Sequence, residues 1–291
     1  RTASTALCSL LTAFVLSLLA KPQGIILPLI LLIVDCYLEE KINPRFLFDK
    51  ISFFIIAAGA SLLNLSALRS FLAEGTTLSF SFDGFLIACH GILFYIGKIF
   101  IPIKLSCYYP YPKKMLGLMP MSYGMSPLIV MGMAFLVVWT RRYAKHILFG
   151  SLFFLFTLLP VLPLAPLSPG IAAADRYTYI SSIGVFYIVA VFFAFLYKRI
   201  FKNSKVLKTI GISFLGTIFG ILCFLTYQRT QIWKDDLTLW SDVLKNYPAV
   251  STAHLNLGTF YLNKGDYPQA FVHARKALAL DPLAWDCYLL L

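Results

Sequence analysis

Apolar residues come in long unbroken blocks over the first three quarters of the chain. The blocks 6–20, 24–37, 51–67, 126–140, 147–163, 178–197 and 209–227 are almost free of charge. A helix needs ~20 apolar residues to cross the hydrocarbon of a bilayer, and the pattern predicts seven such spans. An eighth block, 84–104, differs: it carries His90, Lys98 and Lys104 together with Gly91, Gly97 and Pro102. Ionisable groups are costly at bilayer depth, whereas lysines and glycines suit a helix lying along the surface or dipping in and returning. An interfacial or re-entrant helix is therefore the favoured reading of 84–104.

After Gln228 the blocks give way to a pattern with helical period. Leu257-Gly258-x-x-Tyr261, then Ala270, Ala274, Ala277 and Pro282, occupy the small, large and terminating positions of a 34-residue tetratricopeptide (TPR) unit. The small residues let two helices approach closely, Tyr261 packs across them, and Pro282 ends the second helix. Lys264-Gly265-Asp266 supplies the turn between the helices. Trp240, Val243 and Pro248 sit one period earlier, and Tyr288 and Leu291 begin another unit. The predicted organisation is all-α: a polytopic membrane domain over 1–227, then an α-solenoid segment over 228–291. Within that segment, 228–250 is a half-repeat or cap, 251–284 a full repeat and 285–291 the start of the next.

Composition strengthens the membrane reading. The 291 residues are 59% hydrophobic and 13% charged, roughly half the charge fraction of a soluble domain, and mean hydropathy is +0.78. Six basic and six acidic residues after Gln228 cancel, so the whole net charge of +12 falls in the membrane part. Basic loops at one membrane face account for such an excess, and no nucleic-acid partner is implied. Lys198, Arg199, Lys202, Lys205 and Lys208, with no acid among them, mark that loop as cytoplasmic. The span 209–227 then delivers the helical segment to the extracytoplasmic side. Counting back, the Arg141–His146 loop is cytoplasmic and the loop with Asp175-Arg176-Tyr177 lies outside. An interfacial 84–104 puts Lys41, Arg45 and Lys50 inside, as their charge prefers.

The six cysteines are scattered, with no CxxC, and read as small hydrophobes. There is no Gly-rich phosphate loop, nucleophile elbow or zinc signature, which excludes a soluble nucleotide-using or hydrolytic enzyme. His90 reads as a hydrogen-bonding residue, His146 as part of the basic cytoplasmic face, and His254 and His273 as structural. Asp235 and Asp236 stand at a helix start, where acids suit the dipole. The sequon Asn64-Leu65-Ser66 lies within a span and is dismissed.

The order of short motifs carries a resemblance. Leu19-Ala20-Lys21-Pro22 precedes a span ending Leu31-Leu32-Ile33-Val34-Asp35-Cys36-Tyr37. Cys107-Tyr108-Tyr109-Pro110-Tyr111-Pro112 follows, then Ala174-Asp175-Arg176-Tyr177-Thr178-Tyr179 with Ser182-Ile183-Gly184. Arg229, Trp233, Asp236 and Leu239-Trp240 lead into the repeat. This arrangement resembles the transmembrane-and-TPR protein O-mannosyltransferase family and its bacterial relatives. The resemblance implies a GT-C type membrane glycosyltransferase. Its donor would be a polyprenyl-phosphate sugar, mannose in the first place, and its acceptor a protein Ser or Thr hydroxyl outside the cytoplasm. It implies no permanently bound cofactor and leaves a divalent metal open. The side would be the periplasm in a bacterium or the endoplasmic-reticulum lumen in a eukaryote. Family members carry their catalytic acids in a loop after a first span. Here the chain starts at Arg1 and enters an apolar helix at once, so those positions are expected upstream and the chain alone is expected to be inactive.

On that reading Arg176 is the leading residue for holding the carrier phosphate through paired N–H bonds, with Asp175 and Tyr177 beside it. Lys21, in a short outer turn, is a second candidate; snorkelling to the headgroups is the plain alternative for both cations. Tyr108, Tyr109, Tyr111, Lys113 and Lys114 would shape an acceptor groove or anchor at the headgroups. Acceptor or partner proteins would bind the TPR segment. The rival reading is a non-catalytic, membrane-anchored TPR scaffold.

Overall fold

The computed structural model describes residues 2–39, 50–71, 81–114, 117–142, 144–163, 171–201, 205–282 and 287–288. Eleven helices are labelled here: α1 (Thr2–Ala20), α2 (Leu27–Glu39), α3 (Ile51–Phe71), α4 (Phe82–Phe100), α5 (Met121–Thr140), α6 (Lys145–Leu158), α7 (Thr178–Leu196), α8 (Lys205–Ile232), α9 (Asp236–Asn246), α10 (Ser251–Asn263) and α11 (Tyr267–Leu280). Among the described residues, two short strands, β1 (Tyr109–Pro110) and β2 (Ile171–Ala173), lie between the helices. Lys41, Arg45, Lys202 and most of the expected third unit (285–291) lie outside the described residues.

Four helices among the described residues are long and apolar enough to cross a membrane: Phe82–Phe100, Met121–Thr140, Asp175–Arg199 and Lys205–Ile232. The expected spans 6–20, 24–37, 51–67 and 147–163 form shorter apolar helices, Leu7–Ala20, Pro22–Leu38, Ile51–Ala67 and Lys145–Val161. The segment expected to lie along the surface is a 19-residue helix, α4, and by length and composition it stands with the spanning class. Ser81 caps α4 by accepting from the Gly84 N–H at 3.0 Å, and Asp83 and Lys98 complement its two ends. At 28 residues α8 is about 42 Å long against the ~30 Å hydrocarbon thickness, and none of its residues is buried.

The chain divides into two compact units. The first comprises 1–101, 113–169 and 177–191; the second comprises 102–112, 170–176 and 192–291. In the first unit, Phe14 and Leu18 of α1 meet Phe53 and Ala57 of α3, with the Phe14 and Phe53 rings 5.4 Å apart. His90 of α4, expected as a hydrogen-bonding residue, stacks on Tyr123 of α5 at 3.9 Å. His146 is engaged rather than facing out. Its Nδ1 lies 2.7 Å from the Tyr37 hydroxyl and 3.0 Å from that of Tyr187, joining α2, α6 and α7. Lys50 pairs with Asp35. Helices α6 and α7 meet backbone to backbone at Gly150 and Gly184, where any Cβ would fall within 2.5 Å of a carbonyl oxygen opposite.

In the second unit α8 runs unbroken past residue 228, so the helix itself shows no break at the expected boundary. Arg229 near its end pairs with Asp242 of α9 at 2.7 Å. Asp235 and Thr238 form a reciprocal capping box at the start of α9. The Thr238 N–H and hydroxyl hold the Asp235 carboxyl below its usual range. Helices α10 and α11 form a hairpin whose turn depends on Gly265 at φ +77°. Leu257, Gly258, Ala270, Ala274 and Ala277 are buried between the two helices. Tyr261 stacks on His273, whose Nδ1 lies 3.1 Å from that of His254. Pro282 stands in the turn beyond α11.

Candidate functional site

Residues 102–112 and 170–176, far apart in sequence, come together in the second unit. Strand β1 pairs antiparallel with β2, Tyr109 opposite Ala173 and Pro110 opposite Ile171, with an irregularity between Tyr109 and Pro110. Proline has no N–H to donate to a ladder, and a bulge next to Pro110 is where a sheet accommodates it. Just before β1, the buried Ser106 organises the turn. Its hydroxyl donates to the Tyr108 carbonyl at 2.9 Å and accepts from the Tyr108 N–H at 3.3 Å.

The Tyr109 phenol is the hub. It accepts from the Ser106 N–H at 2.9 Å and donates to the Asp175 carboxylate at 2.8 Å. The Asp175 N–H closes the loop on the Ser106 carbonyl at 3.3 Å. Burial, and then the charge of Asp175, push the Tyr109 hydroxyl well above its ordinary range, so its proton stays in place for donation. Tyr247, whose ring lies 5.8 Å from that of Tyr109, is raised for the same two reasons in the same order.

Arg176 follows directly. Its side chain is exposed, and its Nη1 donates to the Cys107 carbonyl at 3.0 Å. Cys107 and Tyr108 are in turn buried in a cluster with Val243, Val250 and Ala253, flanked by Trp240, Leu244 and Tyr247. The Tyr108 hydroxyl is 3.3 Å from Thr252 Oγ1, and its ring is 6.3 Å from that of Trp240. Burial pushes the Cys107 thiol up, while the charges of Arg176 and Arg229 draw it back. The arrangement is an exposed guanidinium on a fixed backbone mount, and a planar fork of that kind recognises a phosphate or carboxylate geometrically.

Of the sequence candidates, Asp175, Arg176, Tyr108 and Tyr109 are brought together, but with different parts. Tyr108 and Tyr109 lie in a core rather than lining a groove, because their rings have apolar and aromatic surface from α9 and α10 to cover. Tyr111 and Tyr177 are half-buried. Lys21, Lys113 and Lys114 are exposed residues of the first unit; Lys114 pairs with Asp83 at 2.5 Å. Lys21 stands at the N-terminal boundary of the short 3-10 turn that starts at Pro22, and its side chain makes no capping hydrogen bond there. Sequence reasoning did not assign Ser106, Cys107 or Tyr247, whose part is to hold others in place. Among the described residues no group of three or more His, Cys, Asp or Glu could hold a metal ion.

One comparison with known proteins is informative. Over 113 residues the chain is 32% identical to a protein O-mannosyl-transferase of Caenorhabditis elegans. The chain is a distant relative of that transferase. The match covers 39% of this chain and 15% of the relative, so the likeness extends over less of the chain than the ordered motifs do. No family model matches the chain, and no solved structure does.

Proposed function

We propose that the chain is part of a membrane glycosyltransferase of the GT-C type. It would move a sugar, mannose by analogy with the relative, from a polyprenyl-phosphate carrier to a protein Ser or Thr outside the cytoplasm. The observation that carries this reading is the distant match to a protein O-mannosyl-transferase. The mounted Arg176 supports it, because the leaving group of such a transfer is a phosphate, and a preorganised guanidinium stabilises the charge that develops there. Asp175 holds Tyr109, and Tyr109 holds the turn that presents the Cys107 carbonyl to Arg176. In this reading α10 and α11 are a TPR unit that offers a surface to acceptor or partner proteins.

The test uses the protein expressed from its complete reading frame, in membranes supplied with polyprenyl-phosphate mannose and an acceptor protein. Arg176→Ala should lower transfer at least about a hundredfold, the scale of losing one charge-stabilising donor, with the protein still folded. Arg176→Lys should recover only a part, since an ammonium cannot reproduce the fork. Full turnover in Arg176→Ala would remove Arg176 from the site. No transfer by the wild type with any polyprenyl-phosphate sugar would favour the membrane-anchored scaffold.

A further inference from the structure

The structure assigns the first helices of the C-terminal segment a positioning role: α9 and α10 form the buttress that aims Arg176. This inference rests on the reading of Arg176 as a phosphate-binding residue. It goes beyond that reading by making the segment part of the transfer site rather than a recruitment surface alone.

Two consecutive residues, Cys107 and Tyr108, join Arg176 to these helices. The Cys107 carbonyl accepts from Arg176 Nη1 at 3.0 Å. The side chains of Cys107 and Tyr108 are sealed into the core made by Val243 of α9 and Val250 and Ala253 beside and within α10. Backbone and side chains of one dipeptide cannot move separately, so the carbonyl that orients Arg176 stands where those helices place it. A second strut runs through the next residue, Tyr109. Tyr109 donates to Asp175, the neighbour of Arg176, while its ring packs on Tyr247 at the end of α9. The strand pairing Tyr109–Ala173 locks the two struts together. Interiors are close-packed and transmit small displacements, and an ångström of misplacement at a reacting group can cost about a hundredfold in rate. Val243, Ala253 and Tyr108 are thus positioning residues.

Val243→Ala and Ala253→Trp, in the full-length protein reconstituted with polyprenyl-phosphate mannose, test the inference. Two quantities are read: alkylation of Cys107, followed by peptide mass spectrometry, and the KM values for donor and acceptor separately. Loosening the core should expose the buried Cys107 thiol and raise donor KM at least about fivefold, with acceptor KM unchanged. The same variants placed on Arg176→Ala should have no further effect on donor KM, because the group they aim is gone. Exposure of Cys107 with donor KM and turnover both unmoved, or with only acceptor KM moved, would overturn the buttress and leave the transferase reading standing. Cys107 staying protected in both variants would overturn it too, since the shared core would then not be what holds the dipeptide. If Arg176→Ala by itself leaves donor KM and turnover intact, the phosphate reading fails, and the buttress falls with it.

Discussion

Gly184→Ala tests how α6 and α7 are held together in the first unit. An added Cβ would sit 2.3 Å from the Gly150 carbonyl oxygen and 2.8 Å from the Phe154 nitrogen, where ordinary contact begins near 3.4 Å. Both obstacles are backbone, so no rotamer change relieves them, and the helices must part by about 1 Å. A gap of that size costs a quarter to a half of each dispersion contact across it. Phe154, Leu158 and Ser181, all buried on these helices, lose contacts of this kind. Adding the usual overpacking cost of ~1–3 kcal/mol gives an expected destabilisation of roughly 2–4 kcal/mol. Gly216→Ala is the matched control: nothing lies within 4 Å of its Cβ position, and alanine is the better helix former by up to ~1 kcal/mol. Unfolding of both variants and the wild type by SDS in mixed micelles, followed by circular dichroism, gives the comparison. If Gly184→Ala unfolds at the same SDS fraction as Gly216→Ala, the backbone contact does not hold these helices and the reasoning is refuted.

Three further outcomes follow from the second unit. Tyr109→Phe removes the acceptor of the Ser106 N–H and one donor to Asp175, so stability should fall by about 1–3 kcal/mol in the same titration. Asp242→Asn removes the charge facing Arg229 in a pair whose side chains are 17% and 18% exposed. The expected loss is ~3 kcal/mol, and Asp242→Glu should restore most of it. Burial lowers the pKa of both His254 and His273, with further lowering from Lys276 and, for His273, from His254. A group held below its unfolded pKa of ~6.5 stays neutral in the fold while the unfolded chain takes up the proton. Stability should therefore be constant above that pH and decline as pH falls below it. His273→Gln should flatten the decline, and an unchanged profile would show that the pair does not titrate on unfolding.

Local features were legible in the sequence because their causes are local. The Lys264-Gly265-Asp266 turn needs a residue that tolerates positive φ, and Gly265 has φ +77°. Asp235 stands where a helix start wants a carboxylate, and it caps α9. The small residues Gly258, Ala270, Ala274 and Ala277 fall at the spacing of a close helix pair and are buried in one. Tyr108 and Tyr109, expected in a surface loop, are buried, and the sequence missed this for the opposite reason. An aromatic run between prolines looks the same on a surface as in a core, and what covers Tyr108 lies 144 residues later at Thr252. Strands of two and three residues carry no alternation to detect, so the β1–β2 ribbon left no trace in the hydropathy pattern. Segment 84–104 was read by its charged and glycine positions, whereas length and composition together place α4 with the spanning class.

The route from Cys107 and Tyr108 to Val243, Val250 and Ala253 also sets an order of assembly. The dipeptide leaves the ribosome long before its partners, with α5 to α8 synthesised in between. Its aromatic and thiol side chains must wait uncovered until α9 and α10 emerge, and closing a loop of that length carries a large entropic cost before any contact offsets it. Conversely, a tail expressed from α9 onward would lack Cys107, Tyr108 and Ile171, and the side of Val243, Val250 and Ala253 that those residues cover would face water. Such a tail should be prone to self-association, and a peptide spanning 102–112 supplied in trans is the natural means of keeping it soluble.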